Sequence, residues 1–456
     1  MGAGGSVPPA SRAAAVAQGI SDDAIEAYLS ESMCVGIDLG NSTSKVAVWR
    51  DTAAVAQNDR LSKTTPSCVA FEKNGSANVG ESARTAEGGV VARDFVRRLG
   101  SPEDAEDAAA ALLVDMRRTA EAATGGPVRR AVISVPGGAD DARRAATRRA
   151  AKRAGLYVVG FVEATLCTAV AYALDLVSFD CVSYAPGPLL VVDVGGSSCE
   201  LAIIFCENGR FHTVATAREA FGGDDLTNRL YDYVAKGVGG ASSPKAKRQL
   251  WDACEAAKMD LSSSTTARVR VTLDGSESEH TATLTRAHFE ALIAEYLARI
   301  MMAVAAALKK AKVSKKEIHD VVLAGGSSRV PKIVSLLKHH FRKEPCEAVA
   351  REEGVAVGAA VYGALATGLR GVPAGLHSEH LRTFVVPGIV SAPTPPSAPR
   401  RPPGILPEDI EVAPPPSPRP GREAAAAAAA ALLLVEGPIE TSLTTDAMGG
   451  GLPPVD

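Results

Sequence analysis

VGIDLGNSTSKVAVW, residues 35–49, and LVVDVGGSSCELAII, residues 190–204, follow one plan: an apolar strand, an Asp-x-Gly-x-Ser turn, and a second apolar strand. Asp38, Gly40 and Ser42 of the first copy correspond to Asp193, Gly195 and Ser197 of the second. Two copies of one half-domain, facing each other, would build a cleft with two equivalent turns at its floor.

Glycine between two strands lets the backbone turn tightly and brings successive N–H groups to bear on an anion. Two such turns, with Ser42, Ser197 and Ser198 beside them, could hold adjacent phosphates from opposite sides. Each turn also presents an aspartate, which would repel phosphate unless a hard divalent cation sat between them. Asp38 and Asp193 are therefore the expected Mg2+ residues, acting through water because that ion sheds its hydration reluctantly. One copy alone reads better as an ordinary hairpin turn capped by Asp. The matched pair and a third motif favour the phosphate reading.

That third motif is DVVLAGGSSRVPKI, residues 320–333. A strand runs into Gly325 and Gly326, and Ser327 and Ser328 then open a helix. Glycines allow a flat ring to approach the backbone, and Arg329 could lie over its face. A lone GGSS would be weak, since any helix start favours anions. After two phosphate turns it reads as the nucleoside end of the same site.

The chain has 456 residues, 46% apolar and 22% charged, so most of it can bury a core. A net charge of −3 gives no sequence-independent grip on nucleic acid or an anionic membrane, and 4% aromatic content weakens any base-stacking role. The eight cysteines form no CxxC pair, which argues against a zinc site or a disulfide framework and suits a reducing, cytoplasmic compartment. The longest apolar run, Ala424 to Val435, is too short to span a bilayer, so no stable membrane insertion is expected. The start MGAGGS fits a myristoylation pattern at Gly2, but no basic cluster follows to add a second anchor.

Residues 1–32 read as a disordered extension with one short acidic helix, SDDAIEAYLSES. The ordered region is expected over 33–369, with lobe I at 33–178 and lobe II at 179–369. Proline clusters over 370–430 read as a linker, and 431–456 as a short apolar tail. Inside the ordered region, β-rich runs such as AVISV and DVVLA alternate with helical stretches such as DDARRAATRRAAKRAG and RAHFEALIAEYLARIMMAVAAALKKA. The alternation predicts an α/β fold.

Together these segments resemble the nucleotide-binding domain of the heat shock protein 70 family. The likeness continues in order through NDRLSKTTPSCVAF, VEATLCTAVAYALD, GGDDLTNRL, ACEAAKMDLSSST and EEGVAVGAAVYGALATG. It implies an actin-like ATPase fold, two duplicated lobes around a nucleotide cleft, with ATP or ADP and Mg2+ as cofactors. Residue by residue, Asp38 and Asp193 match the family's magnesium-associated aspartates, and Glu163 the glutamate near the attacking water. Gly195 and Gly196 match the second phosphate turn, and Gly222 and Gly223 fall in its GGDD segment. Glu255, Lys258 and Ser262 match residues that hold adenosine; Gly325, Gly326, Ser327 and Arg329 match the adenine side. Pro136 and Arg144 resemble a pair that relays nucleotide state.

The departures are specific. Asn41 stands where the family has a phosphate-binding threonine, and Arg97, in VRRLG, where it has a catalytic lysine. Ser198 replaces threonine, Glu200 replaces aspartate, and Met259 replaces an arginine beside the adenine. Positioning supplies most of the rate in phosphoryl transfer, so binding is expected to survive better than turnover. Between Gly100 and Pro102 the family carries several tens of further residues, so an outer lobe is shortened and gripping by an exchange factor is doubtful. The tail ALLLVEGPIETSLTTDAMGG resembles the family's interdomain linker and first strand, too little for a peptide-binding sandwich.

The expected function is a slow, Mg2+-dependent chaperone-type ATPase without its own peptide clamp, with Asp193, Arg97 and Glu163 as catalytic residues. Partners would be a J-domain cochaperone and other chaperones. The alternative is a non-catalytic, ATP-holding regulator, for example at the ribosome, acting through such a partner. A small-molecule kinase on the same fold would need a substrate pocket for which no segment matches.

Overall fold

The computed structural model describes residues 33–367 except 51, 87–89, 102–104, 179–186, 208–209, 238–242, 273–278 and 348–349. The expected N-terminal extension, the proline-rich linker and the apolar tail lie outside the described residues.

The chain opens with strands β1 (Met33–Asp38), β2 (Thr43–Trp49), β3 (Ala53–Val55), β4 (Thr65–Pro66), β5 (Val69–Phe71) and β6 (Ala77–Val79). Helix α1 (Glu81–Arg84), β7 (Val90–Ala92), α2 (Phe95–Arg98) and α3 (Glu106–Thr124) follow. The first lobe ends with β8 (Val128–Val135), α4 (Asp141–Arg153), β9 (Tyr157–Glu163) and α5 (Ala164–Ser178). The second begins with β10 (Leu189–Val194), β11 (Cys199–Glu207), β12 (Arg210–Glu219), α6 (Gly223–Gly237) and α7 (Pro244–Ser263). It continues through β13 (Thr266–Thr272), β14 (Glu279–Thr285), α8 (Arg286–Leu292) and α9 (Ala294–Ala311). Strand β15 (Asp320–Ala324), a 3₁₀ turn over Gly326–Arg329 and α10 (Pro331–Phe341) complete it, and α11 (Gly354–Ala366), expected in lobe II, returns to the first sheet.

The duplication read from the sequence is visible in the sheets. Among the described residues the first sheet runs β3-β2-β1-β8-β9 and the second β12-β11-β10-β15. In each, a hairpin's first strand pairs antiparallel with its second and parallel with a later strand. Even the register repeats: Val35 faces Val48 and Asp38 faces Lys45, while Leu190 faces Ile203 and Asp193 faces Glu200. Strands β1 and β10 are nearly continuous apolar runs because both their faces are covered, as expected where helices flank a sheet.

Local chemistry sets the helix starts. Asp140 accepts a bond from the Arg143 N–H at 2.8 Å and opens α4; Ser243 accepts from Ala246 N–H at 3.0 Å, ahead of Pro244, and opens α7. The stretch from Arg286 to Ala311, expected as one helix, is two, bent by 65° at Ile293. Phe289 before the bend and Ile293 at it are both buried in the second lobe's core.

Helices α5 and α11 join the lobes. A buried cluster takes Cys34, Trp49 and Val132 from the first sheet, Leu189, Val191 and Val322 from the second, and the inner faces of both helices. At their crossing a Cβ on Gly358 would lie 1.9 Å from the Cys167 carbonyl oxygen, so glycine alone permits this approach. Although late in the chain, α11 packs on β1, β2 and β8 of the first lobe. It thereby fixes how the two sheets face one another.

Candidate functional site

The C-terminal ends of β1 and β10 point into one cleft of about 1260 Å³ between the lobes. The two hairpin turns meet there. A Cβ on Gly196 would lie 1.7 Å from Ser42 Oγ, so the turn of one lobe touches the turn of the other. Ser42 Oγ donates across the same junction to Asp224 Oδ2 at 2.9 Å. The second turn is seated on the start of α6, where Gly223 N–H donates to Gly195 carbonyl oxygen at 2.9 Å and Asp224 N–H to Gly196 carbonyl oxygen at 2.8 Å.

Nearly all of the residues singled out from the sequence line this cleft. Asp38, Gly40, Asn41, Ser42 and Arg97 come from the first lobe. Asp193, Gly195, Gly196, Ser197, Ser198 and Gly223 come from the second hairpin and α6. Glu255, Lys258 and Ser262 line it from α7, and Gly325, Gly326, Ser327 and Arg329 from the turn after β15. Two stand behind the wall. Gly222 packs beneath the second turn, where a Cβ would come within 2.5 Å of the Gly196 carbonyl carbon. Glu163 ends β9, next to the lining residue Ala164, and accepts from Gly138 N–H at 3.3 Å.

Asn41, the residue in place of a threonine, is committed locally: its amide donates to Asp94 Oδ1 at 2.7 Å and accepts from the Arg97 N–H at 3.1 Å. It thus ties the first turn to α2 and carries Arg97 to the cleft. The Arg97 guanidinium, 58% exposed, lies 3.7 Å from Asp94 Oδ2. Pro136 lines the cleft, and of the two neighbouring arginines Arg143 lines it while Arg144, the one resembling the relay residue, does not. Arg143 donates to the carbonyls of Val96 and Arg97, whereas Arg144 Nε donates to the Ala139 carbonyl.

On the wall formed by α7, Lys258 Nζ donates to the Gly223 carbonyl at 3.0 Å and pairs with Glu255 Oε2 at 2.7 Å. Arg329 forms a two-pronged pair with Glu352. Met259 lines the cleft and is 62% exposed, leaving an apolar thioether stem where a ring could rest.

Acids dominate the floor. Burial pushes the Asp193 carboxyl up to about 8, helped by the nearby Glu200 and Asp38 charges. Glu200 is also raised, mainly by burial, although Gly137 N–H donates to it at 2.8 Å and Arg218 pairs with it. Burial lifts Asp224 to about 6. Such a set favours a cation, and the hard carboxylate oxygens of Asp38 and Asp193 fit Mg2+. Among the described residues no three His, Cys, Asp or Glu side chains form a ready cage, so the other ligands of that ion would be water and phosphate oxygen.

The structure adds residues that sequence reasoning did not single out. Ser134 accepts from Leu39 N–H and donates to Asp38 Oδ1, both at 3.2 Å, fixing the first aspartate. Asp224 bridges the turns, and its signal was the GGDD segment itself. Lys45 lines the floor with Nζ 3.5 Å from Asp38 Oδ2; its signal was a charge inside an otherwise apolar strand.

A family model described as Hsp70 protein matches residues 34–94 and 95–374, covering both hairpins, the third motif and both lobes. Members of that family are chaperone-type, ATP-binding proteins with an actin-like ATPase fold; they take ATP or ADP with Mg2+ and typically work with J-domain cochaperones. Among the described residues, no single helix is long and apolar enough to cross a membrane. With a match over most of its length and a cleft built from a duplicated hairpin, the chain belongs to the heat shock protein 70 family.

Proposed function

We propose that this cleft binds ATP and ADP and hydrolyses ATP slowly. The observation that carries the reading is the meeting of the two turns, Gly196 against Ser42, at the closed end of a cleft whose other wall is the Gly325–Arg329 turn. Asp38 and Asp193 would hold Mg2+, which when bound offsets phosphate charge. Arg97 brings a mobile positive charge to the mouth of the same space. Glu163, at the end of β9, orients or deprotonates water. Glu255, Lys258 and Ser262 on α7 hold the sugar, and Met259 with Arg329 flanks the base.

Gly326 provides a clean test. A Cβ there meets nothing closer than Glu352 Cγ at 4.0 Å, so the fold accepts a side chain that fills the adenosine side. Gly326→Trp should weaken ADP binding at least ~100-fold by titration calorimetry, the cost of losing a well-filled pocket, while the nucleotide-free melting temperature holds. Unchanged affinity would refute the assignment.

The second reading, an ATP-holding regulator that acts through a J-domain or chaperone partner, draws on the placement of Glu163. That carboxylate lies outside the cleft lining and is engaged with Gly138. Single-turnover hydrolysis separates the two readings, since bound ATP that stays intact for hours favours the regulator. For compartment, we favour the cytoplasm: Cys34, Cys68, Cys167, Cys199 and Cys254 are buried thiols, as in a reducing environment.

A further inference from the structure

Strand β2 carries a lysine where its repeat partner carries an acid. Lys45 faces Asp38 across the first hairpin just as Glu200 faces Asp193 across the second. Its side chain is only 6% exposed, yet it lines the cleft floor, 3.5 Å from Asp38 Oδ2 and 3.3 Å from Thr43 Oγ1. An ammonium has three donors and a long Asp38 contact uses little of that capacity, so donor strength remains on the cleft side. Three other cations that line the cleft are engaged: Arg218 with Glu200, Lys258 with Glu255, and Arg143 with the carbonyls of Val96 and Arg97. The charge of Lys45 also reaches Asp193, where it works against the upward push of burial, and adds to the pull of Arg329 on Glu352. It therefore stands among the acids of both lobes.

A nucleotide cleft with two aspartates at its floor ordinarily needs a divalent ion to let phosphates approach. Here one aspartate already has a cation built into the chain. We propose that Lys45 is a resident counter-ion for a polyphosphate in this cleft, contacting phosphate oxygen directly and making nucleotide binding largely independent of Mg2+. The inference rests on the nucleotide reading above, and goes beyond it by assigning the phosphate contact to a residue on β2 rather than to a turn or to a metal. A charge-assisted contact to phosphate is worth about ten- to a hundredfold in affinity. Lys45 and Mg2+ would also compete for Asp38, so the ion should add less to affinity than the charge of a divalent cation suggests.

The test is ADP affinity by titration calorimetry, in saturating Mg2+ and in excess EDTA. It uses the parent chain, Lys45→Met, which keeps the stem and removes the charge, and Lys45→Arg, which keeps the charge. Removing Mg2+ should weaken the parent less than about tenfold, and Lys45→Met should be at least about tenfold weaker than the parent in EDTA but nearly equal to it in Mg2+. Lys45→Arg should remain closer to the parent. A parent that loses more than about tenfold in EDTA overturns the proposal, whatever the variants do. Lys45→Met weakened by the same factor in both buffers overturns it as well, while leaving the nucleotide site intact. Parent protein that binds no ADP in either buffer sinks the nucleotide reading, and this inference with it.

Discussion

If the two turns touch as described, Gly196 and Ser42 must be energetically coupled. A methyl at Gly196 would sit 1.7 Å from Ser42 Oγ and 2.5 Å from Ser42 Cβ. Rotating the hydroxyl away relieves the first contact but not the second, and it breaks the 2.9 Å bond to Asp224. Gly196→Ala should therefore cost about 1–3 kcal/mol in overpacking and a further ~1–3 kcal/mol for the lost bond to a charged group. Ser42→Gly removes the same bond without a clash and should cost only that second amount. In the double variant the nearest neighbour left to the new methyl is Asp224 Oδ2 at 3.5 Å, an ordinary contact. The pair should then be about as stable as Ser42→Gly alone, a departure from additivity of roughly 2–6 kcal/mol, the whole cost of Gly196→Ala. Urea denaturation of the four nucleotide-free proteins gives the cycle, and ADP affinity gives a parallel one. Additivity within about 0.5 kcal/mol in both would refute the contact between turns, because sites that do not touch add in this way.

Three further outcomes are expected. Gly358→Ala places a methyl 1.9 Å from a backbone oxygen that cannot rotate away, so it should destabilise by about 3 kcal/mol or more, whereas Gly126→Ala, with nothing within 4 Å, should be near neutral; thermal melts compare them. Ser134→Ala leaves Leu39 N–H without its acceptor and Asp38 Oδ1 without its hydroxyl donor, and should cost about 1–3 kcal/mol in denaturant titrations. Asp224 has its carboxyl raised to about 6 from 3.8, so the folded state binds its proton more tightly than the unfolded state. The Asp224 contribution to the stability of the nucleotide-free protein should fall by at most ~3 kcal/mol as pH rises from about 4 to 6 and then level off, and Asp224→Asn should flatten the slope in that window.

What could be read from the sequence was local or repeated. The hairpins announce themselves because strand, turn and strand lie within fifteen residues of one another and occur twice. The Gly325–Gly326 turn is legible for the same reason. Contacts made by folding were not. Ser42 and Asp224 lie far apart in the chain and meet only because α6 starts under the second turn. Arg143 and Arg144 are neighbours on a helix, where adjacent side chains point about 100° apart, and no local pattern says which one faces the cleft. The bend at Ile293 was hidden because the apolar spacing runs through it unbroken. Lys45 was in plain view within the quoted repeat, but its meaning depends on hairpin register, which places it beside Asp38.

That register also shows where the two halves have diverged. The copies agree in turn and in hairpin register, and differ in sign at the position that faces each floor aspartate: Lys45 in one lobe, Glu200 in the other. The first aspartate is thus paired with an internal cation, while the second sits beside another acid and is driven to hold a proton or await a cation. Two identical turns would hold a symmetric anion equally well from both sides. A polyphosphate chain is not symmetric, with one end esterified to a nucleoside and the other free. Opposed floors of unlike charge would therefore orient it, drawing phosphate oxygen toward Lys45 and an accompanying cation toward Asp193. Exchanging the two charges, Lys45→Glu with Glu200→Lys, should preserve the sum of charge on the floor and still lose nucleotide affinity, since every other contact would then meet the phosphates from the wrong side.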